Sequence, residues 1–217
     1  MTTDAAPSAP ATGLRESKKQ ETRQLISDVA TGLFLTRGFE RTTIAEIAAA
    51  ARVAKKTVTN YFPRKEDLAL DHQDAFTTSL AGTVTGRQAG ESALSALRRA
   101  FADATAVADP VAGFSGPDFA RMIADSPTLS ARLRDLHDLR EAALADALAD
   151  ATGTPRGDIT PRTAAALLGA VHRTLFQRIQ ELTLTGQDNA RISATVIAEA
   201  DSAFGLLEPS LADYAAA

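Results

Sequence analysis

Between Lys18 and Arg37 the apolar side chains fall at Leu25, Ile26, Val29, Ala30, Leu33 and Phe34, one face of a helix with a period of 3.6 residues. Gly38 suits the positive φ that ends such a helix, and Phe39 follows as a hydrophobic anchor. The next apolar set, Ile44, Ile47 and Ala48, predicts a short helix reaching Ala51, and Thr43 with Glu46 three residues on is a capping-box start. A third set, Val53, Val58, Tyr61 and Phe62, predicts another short helix. Pro63 stops it, because the residue before a proline is pushed out of the helical region. Lys65 and Glu66 then open a longer helix through Leu68, Leu70, Phe76 and Leu80.

Beyond Gly86 the same periodicity predicts helices over 91–107, 118–124, 128–151, 161–184 and 190–207, with Thr160 as N-cap and Pro161 as a first-turn residue of the fourth. The stretches 109–117 and 153–158 are the most loop-like, no internal repeat is present, and no alternating run of β-branched residues suggests a sheet. The pattern therefore predicts an all-α protein: a disordered tail over 1–13, a small helical domain over 14–68 and a larger helical domain over 69–217.

Composition narrows this frame. The chain has 217 residues, 45% of them hydrophobic and 23% charged, which is the balance of a soluble globular protein. It has no cysteine, so disulfides and thiolate metal sites are excluded and a reducing cytosol is the expected setting. The first thirteen residues lack the basic start and apolar run of a signal peptide, and no stretch approaches the roughly 18 apolar residues of a membrane span. A formal net charge of −4 argues against a nucleic-acid partner, but the charge is segregated. Residues 14–68 hold eleven Lys and Arg against seven Asp and Glu, a net of +4, and the remainder carries −8. All five lysines lie at or before Lys65, so the first third is the phosphate-facing candidate.

Two short helices joined by a tight turn, with a small residue at Ala48 where they approach, form a helix-turn-helix whose second member can enter a major groove. With Ile44, Ile47, Ala48, Val53 and Val58 packed inward, Arg52, Lys55, Lys56, Thr57, Thr59 and Asn60 point outward, a polar and basic set suited to base edges and phosphates. On such a face Asn60 suits an adenine edge and Lys56 the acceptors of guanine. The other reading of each residue is an ordinary solvated helix surface.

The runs Thr42-Thr43-Ile44-Ala45-Glu46-Ile47-Ala48, Val53-Ala54-Lys55-Lys56-Thr57-Val58 and Tyr61-Phe62-Pro63-Arg64-Lys65-Glu66-Asp67-Leu68 resemble the signature of the tetracycline-repressor (TetR) family, over about Glu21 to Leu68. The resemblance implies a three-helix domain that binds double-stranded DNA, a connecting helix, and a divergent helical domain for ligand binding and homodimerisation. It implies a transcriptional regulator, most often a repressor of a near-palindromic operator, released by a small molecule. By matching position, Thr43 and Lys65 would hold phosphates at helix N-termini, Tyr61 would donate to a phosphate, and 55–60 would face bases and backbone. Two residues depart from the pattern. Arg52 stands where a turn glycine is frequent, and a left-handed conformation there costs about 1–2 kcal/mol. Thr59 stands where an aromatic residue is common, which leaves operator preference open.

In the larger domain, Ala164, Leu167, Leu168, Val171, Leu175, Ile179 and Leu182 on one predicted helix and Ile192, Val196, Ile197, Ala200, Phe204 and Leu207 on the next suit a four-helix dimer interface, with Leu168, Val171, Leu175, Ile179, Val196, Ala200 and Phe204 at its centre, unless these faces only close the chain's own core. The candidates for an apolar pocket are Phe76, Phe101, Phe114, Phe119, Met122, Leu133, Leu136 and Phe176. The resemblance admits an acyl-CoA-like effector, with Arg98, Arg99 and Arg121 as phosphate partners or as plain surface arginines. No enzyme chemistry is legible. His72, His137 and His172 lie on separate predicted helices without metal-ligand spacing, and no nucleophile elbow, phosphate loop or dinucleotide glycine pattern appears. Neither a metal nor a cofactor is expected.

Overall fold

The computed structural model describes residues 11–216, which divide into two compact units between Asp71 and His72. Among the described residues every regular element is helical, and no helix is long and apolar enough to cross a membrane.

The first unit contains α1 (Ala11–Arg37), α2 (Ile44–Ala50), α3 (Lys55–Tyr61) and α4 (Glu66–Ala69). Of the expected tail, residues 1–10 lie outside the described residues. Residues 11–13 belong to α1, since extending an existing helix fixes one residue per hydrogen bond gained. Ile26, Ala30 and Phe34 form the buried face of α1. Gly38 ends it at φ 83°, and the Phe39 ring packs on Phe34 at 5.0 Å. The long helix expected from Lys65 is broken. Leu70 leaves the helical region at φ −114°, ψ 49°, and Asp71 is tied back to α1, where the Ser27 hydroxyl donates to its Oδ2 at 2.6 Å. That anchor ends α4 after one turn.

The second unit contains α5 (Gln73–Thr85), α6 (Ala93–Ala106), a short 3-10 helix (Pro110–Ala112), α7 (Pro117–Asp125), α8 (Pro127–Thr152), α9 (Ile159–Leu184), α10 (Asn189–Gly205) and α11 (Glu208–Leu211). The 3-10 turn and α11 are short elements that periodicity did not reveal. Side-chain caps fix the long starts: Ser92 accepts from Ser95 N at 3.2 Å, Ser126 from Leu129 N at 3.1 Å and Asp188 from Arg191 N at 2.9 Å. The expected cap at Thr160 moves upstream to Asp158, whose carboxylate accepts from Thr160 N at 2.8 Å. Pro161 remains within the first turn, where its missing N–H leaves no hydrogen bond unmade.

Helix α5 lies along α8, α8 along α9, α9 along α10, and α10 on α6, which returns to α5; α7 crosses α8 and α9. Leu144, Leu148, Leu168, Ile179, Val196 and Phe204 fill the centre at 0% exposure. Truncating any of these leucines to alanine costs about 2–5 kcal/mol. This placement corrects the expected dimer face. Leu168, Leu175, Ile179, Val196, Ala200 and Phe204 belong to the chain's own core, and Val171 packs against it. The apolar stripes of α9 and α10 close their own subunit because each is flanked by long helices of the same chain.

Candidate functional site

Helix α2 begins with a complete capping box. Thr43 N donates to Glu46 Oε2 at 2.8 Å, and Glu46 N donates to Thr43 Oγ1 at 3.3 Å. The hydrogen bond from Thr43 N foremost, and a second from the Thr43 hydroxyl, hold the Glu46 carboxyl below its ordinary pKa, with Arg37 adding to the effect. At the other end of α2 the chain turns through Arg52 at φ 55°, and Val53 N donates back to Ala48 O at 3.0 Å. Ala48 and Val58 are buried where α2 and α3 meet, so the angle between the two helices is set by packing.

That packing presents α3 outward. Lys55, Lys56 and Asn60 are exposed, with Arg52 exposed in the turn before them. Thr57, Thr59 and Tyr61 are half-buried, and the Thr59 hydroxyl donates to Lys56 O at 3.2 Å. Two expected phosphate ligands have partners within the chain. The Thr43 hydroxyl donates to Glu46 Oε2 at 2.8 Å within the capping box. The Lys65 ammonium donates to Phe39 O at 2.9 Å and Thr42 O at 3.1 Å, and lies 4.1 Å from the Phe39 ring centre. Lys65 thus fastens the α1–α2 loop to the start of α4, with one of its three donors left over. Sequence reasoning passed over Arg41 and Arg64, both exposed, which flank the helix-turn-helix. Their positions beside Thr42 and Pro63 were the available signal.

In the second unit the expected pocket residues scatter. Phe76, Phe114, Met122, Leu136 and Phe176 are buried, Phe119 and Leu133 are half-buried, and Phe101 lines a half-open cavity of about 160 Å3. The other walls include Ser79, Thr83, Asp109, Arg140 and His172. Beside the cavity, His137 packs edge-on against Phe76 at 5.0 Å and Phe176 at 5.3 Å. Burial foremost, with the Arg140 charge adding to it, pushes the His137 pKa down to about 4 and that of His172 down to about 3, so both rings are neutral near pH 7. Sequence reasoning did not place Arg140 or the histidines at a pocket, although a spacing of four residues sets Arg140 in register with Leu136, Leu144 and Leu148 on the core side of α8. Among the described residues, no group of three or more His, Cys, Asp or Glu side chains is arranged to hold a metal ion.

Comparison with known proteins agrees with this geometry. Residues 26–71 match the sequence profile of the family described as bacterial regulatory proteins, tetR family. The HTH-type transcriptional regulator TcmR of Streptomyces glaucescens is 36% identical over 99 residues, which are 46% of this chain and 43% of that protein. The match thus spans less than half of that relative. Among solved structures, NalD, the secondary repressor of the MexAB-OprM multidrug efflux pump in Pseudomonas aeruginosa, superposes with a TM-score of 0.52 at 17% identity, covering 90% of this chain and 98% of NalD. SmeT in complex with triclosan gives 0.52 at 20% identity over 84% of this chain and 91% of SmeT. A TetR-family regulator of Syntrophomonas wolfei gives 0.54 at 19% identity, over 87% and 97%. At these identities the structures establish the fold.

Proposed function

We infer, from the premise that the N-terminal domain belongs to the tetR family of bacterial regulatory proteins, that the chain is a DNA-binding transcriptional regulator, a repressor released from its operator by a small molecule. The carrying observation is α3: Lys55, Lys56 and Asn60 stand exposed on a short helix whose orientation buried Val58 and Ala48 fix, in the positively charged third of an otherwise acidic chain. A basic helix held rigidly by a partner helix is what insertion into a major groove requires.

The regulator acts as a homodimer on a near-palindromic site, its two recognition helices about 34–36 Å apart. The exposed residues of α9 and α10 support this. Leu167 is 41% and Ile197 38% exposed, among the small exposed neighbours Ala166, Ala170, Ala194 and Ala198. Two helices of each chain presenting small and apolar residues suit an isologous four-helix contact, at the exposed edge of the same apolar faces that the periodicity picks out. The cavity in the second unit supplies a place for an effector. By linkage, an effector that weakens DNA binding must itself bind less tightly to the DNA complex.

The test is selection of duplexes from a random-sequence pool with the full chain, followed by footprinting and a salt titration. The expected result is a protected inverted repeat. Replacing Lys55 and Lys56 together by alanine lowers the slope of log affinity against log salt by about 1 for each phosphate the variant no longer neutralises. Absence of any enriched site, or a slope unchanged by the double substitution, would overturn the reading.

A further inference from the structure

Arg140 sits in the middle of α8 at 6% exposure, yet among the described residues no carboxylate is in contact with it. Its Nε donates to Ser79 Oγ at 2.9 Å, and the guanidinium stacks on the Phe76 ring at 4.5 Å. Among the described residues, neither a hydrogen bond nor an ion pair is made by its terminal nitrogens. Burial of the guanidinium brings the Arg140 pKa down to about 10, against the opposing field of Asp109. The cavity that Arg140 lines is also lined by Asp109, which does not close onto it. Asp109 is pinned as the cap of the 3-10 helix, its Oδ1 accepting from Val111 N at 2.8 Å. Ser79 and Phe76 pin Arg140 in the same way. The third polar wall is His172, 6% exposed, whose Nε2 is buried without a partner.

The cavity therefore holds a cation and an anion that are separated, immobilised and short of partners, with the Phe101 ring as an apolar wall. A guanidinium with its terminal nitrogens free suits an anionic oxygen, a carboxylate above all. A carboxylate that already accepts one backbone hydrogen bond still has lone pairs for a hydroxyl proton. A volume of about 160 Å3 is near the ~150 Å3 of a cavity that takes one benzene ring. The loop bearing Asp109 is itself fixed to α9, because Gln180 Nε2 donates to Gly113 O and, at 3.0 Å, to Ser115 Oγ. The site is preorganised on both sides.

We propose that this cavity is the effector site and that it takes a small hydroxylated aromatic acid, whose carboxylate lies on Arg140, whose hydroxyl donates to Asp109 and whose ring packs beside Phe101. His172 Nε2 makes the remaining polar contact. This rests on the reading of the second unit as an effector domain and goes beyond it by naming the chemistry of the ligand.

Calorimetric titration of the full chain with 4-hydroxybenzoate, with 4-hydroxybenzamide as the uncharged analogue and benzoate as the analogue without the hydroxyl, tests the assignment. Saturable binding of one 4-hydroxybenzoate per chain is expected, tighter than either analogue by about tenfold, the scale of one charge-assisted hydrogen bond. Arg140→Met erases the preference for acid over amide, and Asp109→Asn erases the preference for 4-hydroxybenzoate over benzoate. Equal affinity of wild type for acid and amide, no saturation, or unchanged 4-hydroxybenzoate affinity in Arg140→Met overturns the proposal. The acid and amide comparison on the wild-type chain needs no variant to fold. Gel shifts on the selected duplex keep the two readings apart: retained DNA binding without aromatic-acid binding removes this proposal alone, and acid binding without any DNA binding removes the regulator reading alone.

Discussion

Acid should unfold the second unit through two histidines before its carboxylates are involved. His137 and His172 are buried beside Phe76, Phe101, Phe176 and Phe204, with Arg140 near both and Arg173 near His137. Their folded pKa values, about 4 and about 3, lie below the 6.5 of an unconstrained imidazole. The unfolded chain therefore takes up protons first as pH falls. The stability these neutral rings represent is complete above about pH 7 and is lost progressively below 6.5, until the folded rings protonate at about 4 and about 3. At about pH 5 both folded values are already below the solution pH, so the loss depends only on the unfolded pKa and comes to about 2 kcal/mol per histidine. About 4 kcal/mol together is a large part of a typical folding stability of about 5–15 kcal/mol. Urea unfolding at about pH 8 and about pH 5 measures it, with His137→Phe plus His172→Phe as the reference that keeps the ring contacts and removes the titration. Glu91, held down to about 2 mainly by the Arg99 hydrogen bonds, becomes acid-sensitive only below the ordinary 4.5 of a glutamate, outside this window. Equal losses in wild type and the double variant would refute the assignment of both histidines as buried neutral groups.

Three further outcomes test individual contacts. Arg52→Gly relieves a left-handed backbone at φ 55° and should raise stability by roughly 0.5–1 kcal/mol in thermal melting, without lowering the affinity for the selected duplex by more than a single phosphate interaction would. Gly113→Ala should destabilise the chain by about 2 kcal/mol or more by the same assay, because φ is 126° and the new Cβ would meet Phe176 O and Ile179 Cβ, each at 3.2 Å. Leu167→Glu with Ile197→Glu should yield folded monomers in sedimentation and lose operator binding; a dimer that persists would move the interface elsewhere.

Most of the helix-turn-helix was readable because its rules are local. The capping box at Thr43, the terminating Gly38 and the stop before Pro63 each depend on residues within one turn of each other. What the sequence left hidden depends on distant partners. The break after α4 follows from a hydrogen bond between Ser27 and Asp71, and the inward turn of Lys65 follows from carbonyls more than twenty residues away. In the second unit the stripes of α9 and α10 were located correctly, but their destination was not. A helix periodicity states that a face is buried without stating by which chain, and here the subunit's own α6 and α8 claim it. The pocket was sought among aromatic residues because hydrophobic linings are common. Phe76 and Phe176 pack on each other and on His137, Phe101 alone of the expected residues lines the cavity, and the charges that give the cavity its chemistry are Arg140, inside an apolar stripe, and Asp109, in a loop.

Arg140 and its surroundings show how that concealment bears on function. A buried guanidinium without a contacting counter-ion lowers the stability of the free protein, since its desolvation is only partly offset by Ser79, the Phe76 face and the field of Asp109. Its two neutral histidine neighbours are held neutral in part by the same charge, so the cost of Arg140 is distributed over the aromatic cluster rather than confined to one residue. An anion placed on Arg140 reverses the sign of each of these effects: it restores the missing pair and removes the field that depresses the imidazoles. Effector binding should therefore rigidify α5, α6, α8 and the Asp109 loop together, because all of them contribute walls to the one cavity. A ligand of the same size without charge would fill the space and leave that electrostatic strain in place. That difference shifts a conformational equilibrium to the extent that Arg140 and Asp109 line the cavity in one state and not in the other, because a ligand shifts one only by its differential affinity for the two states.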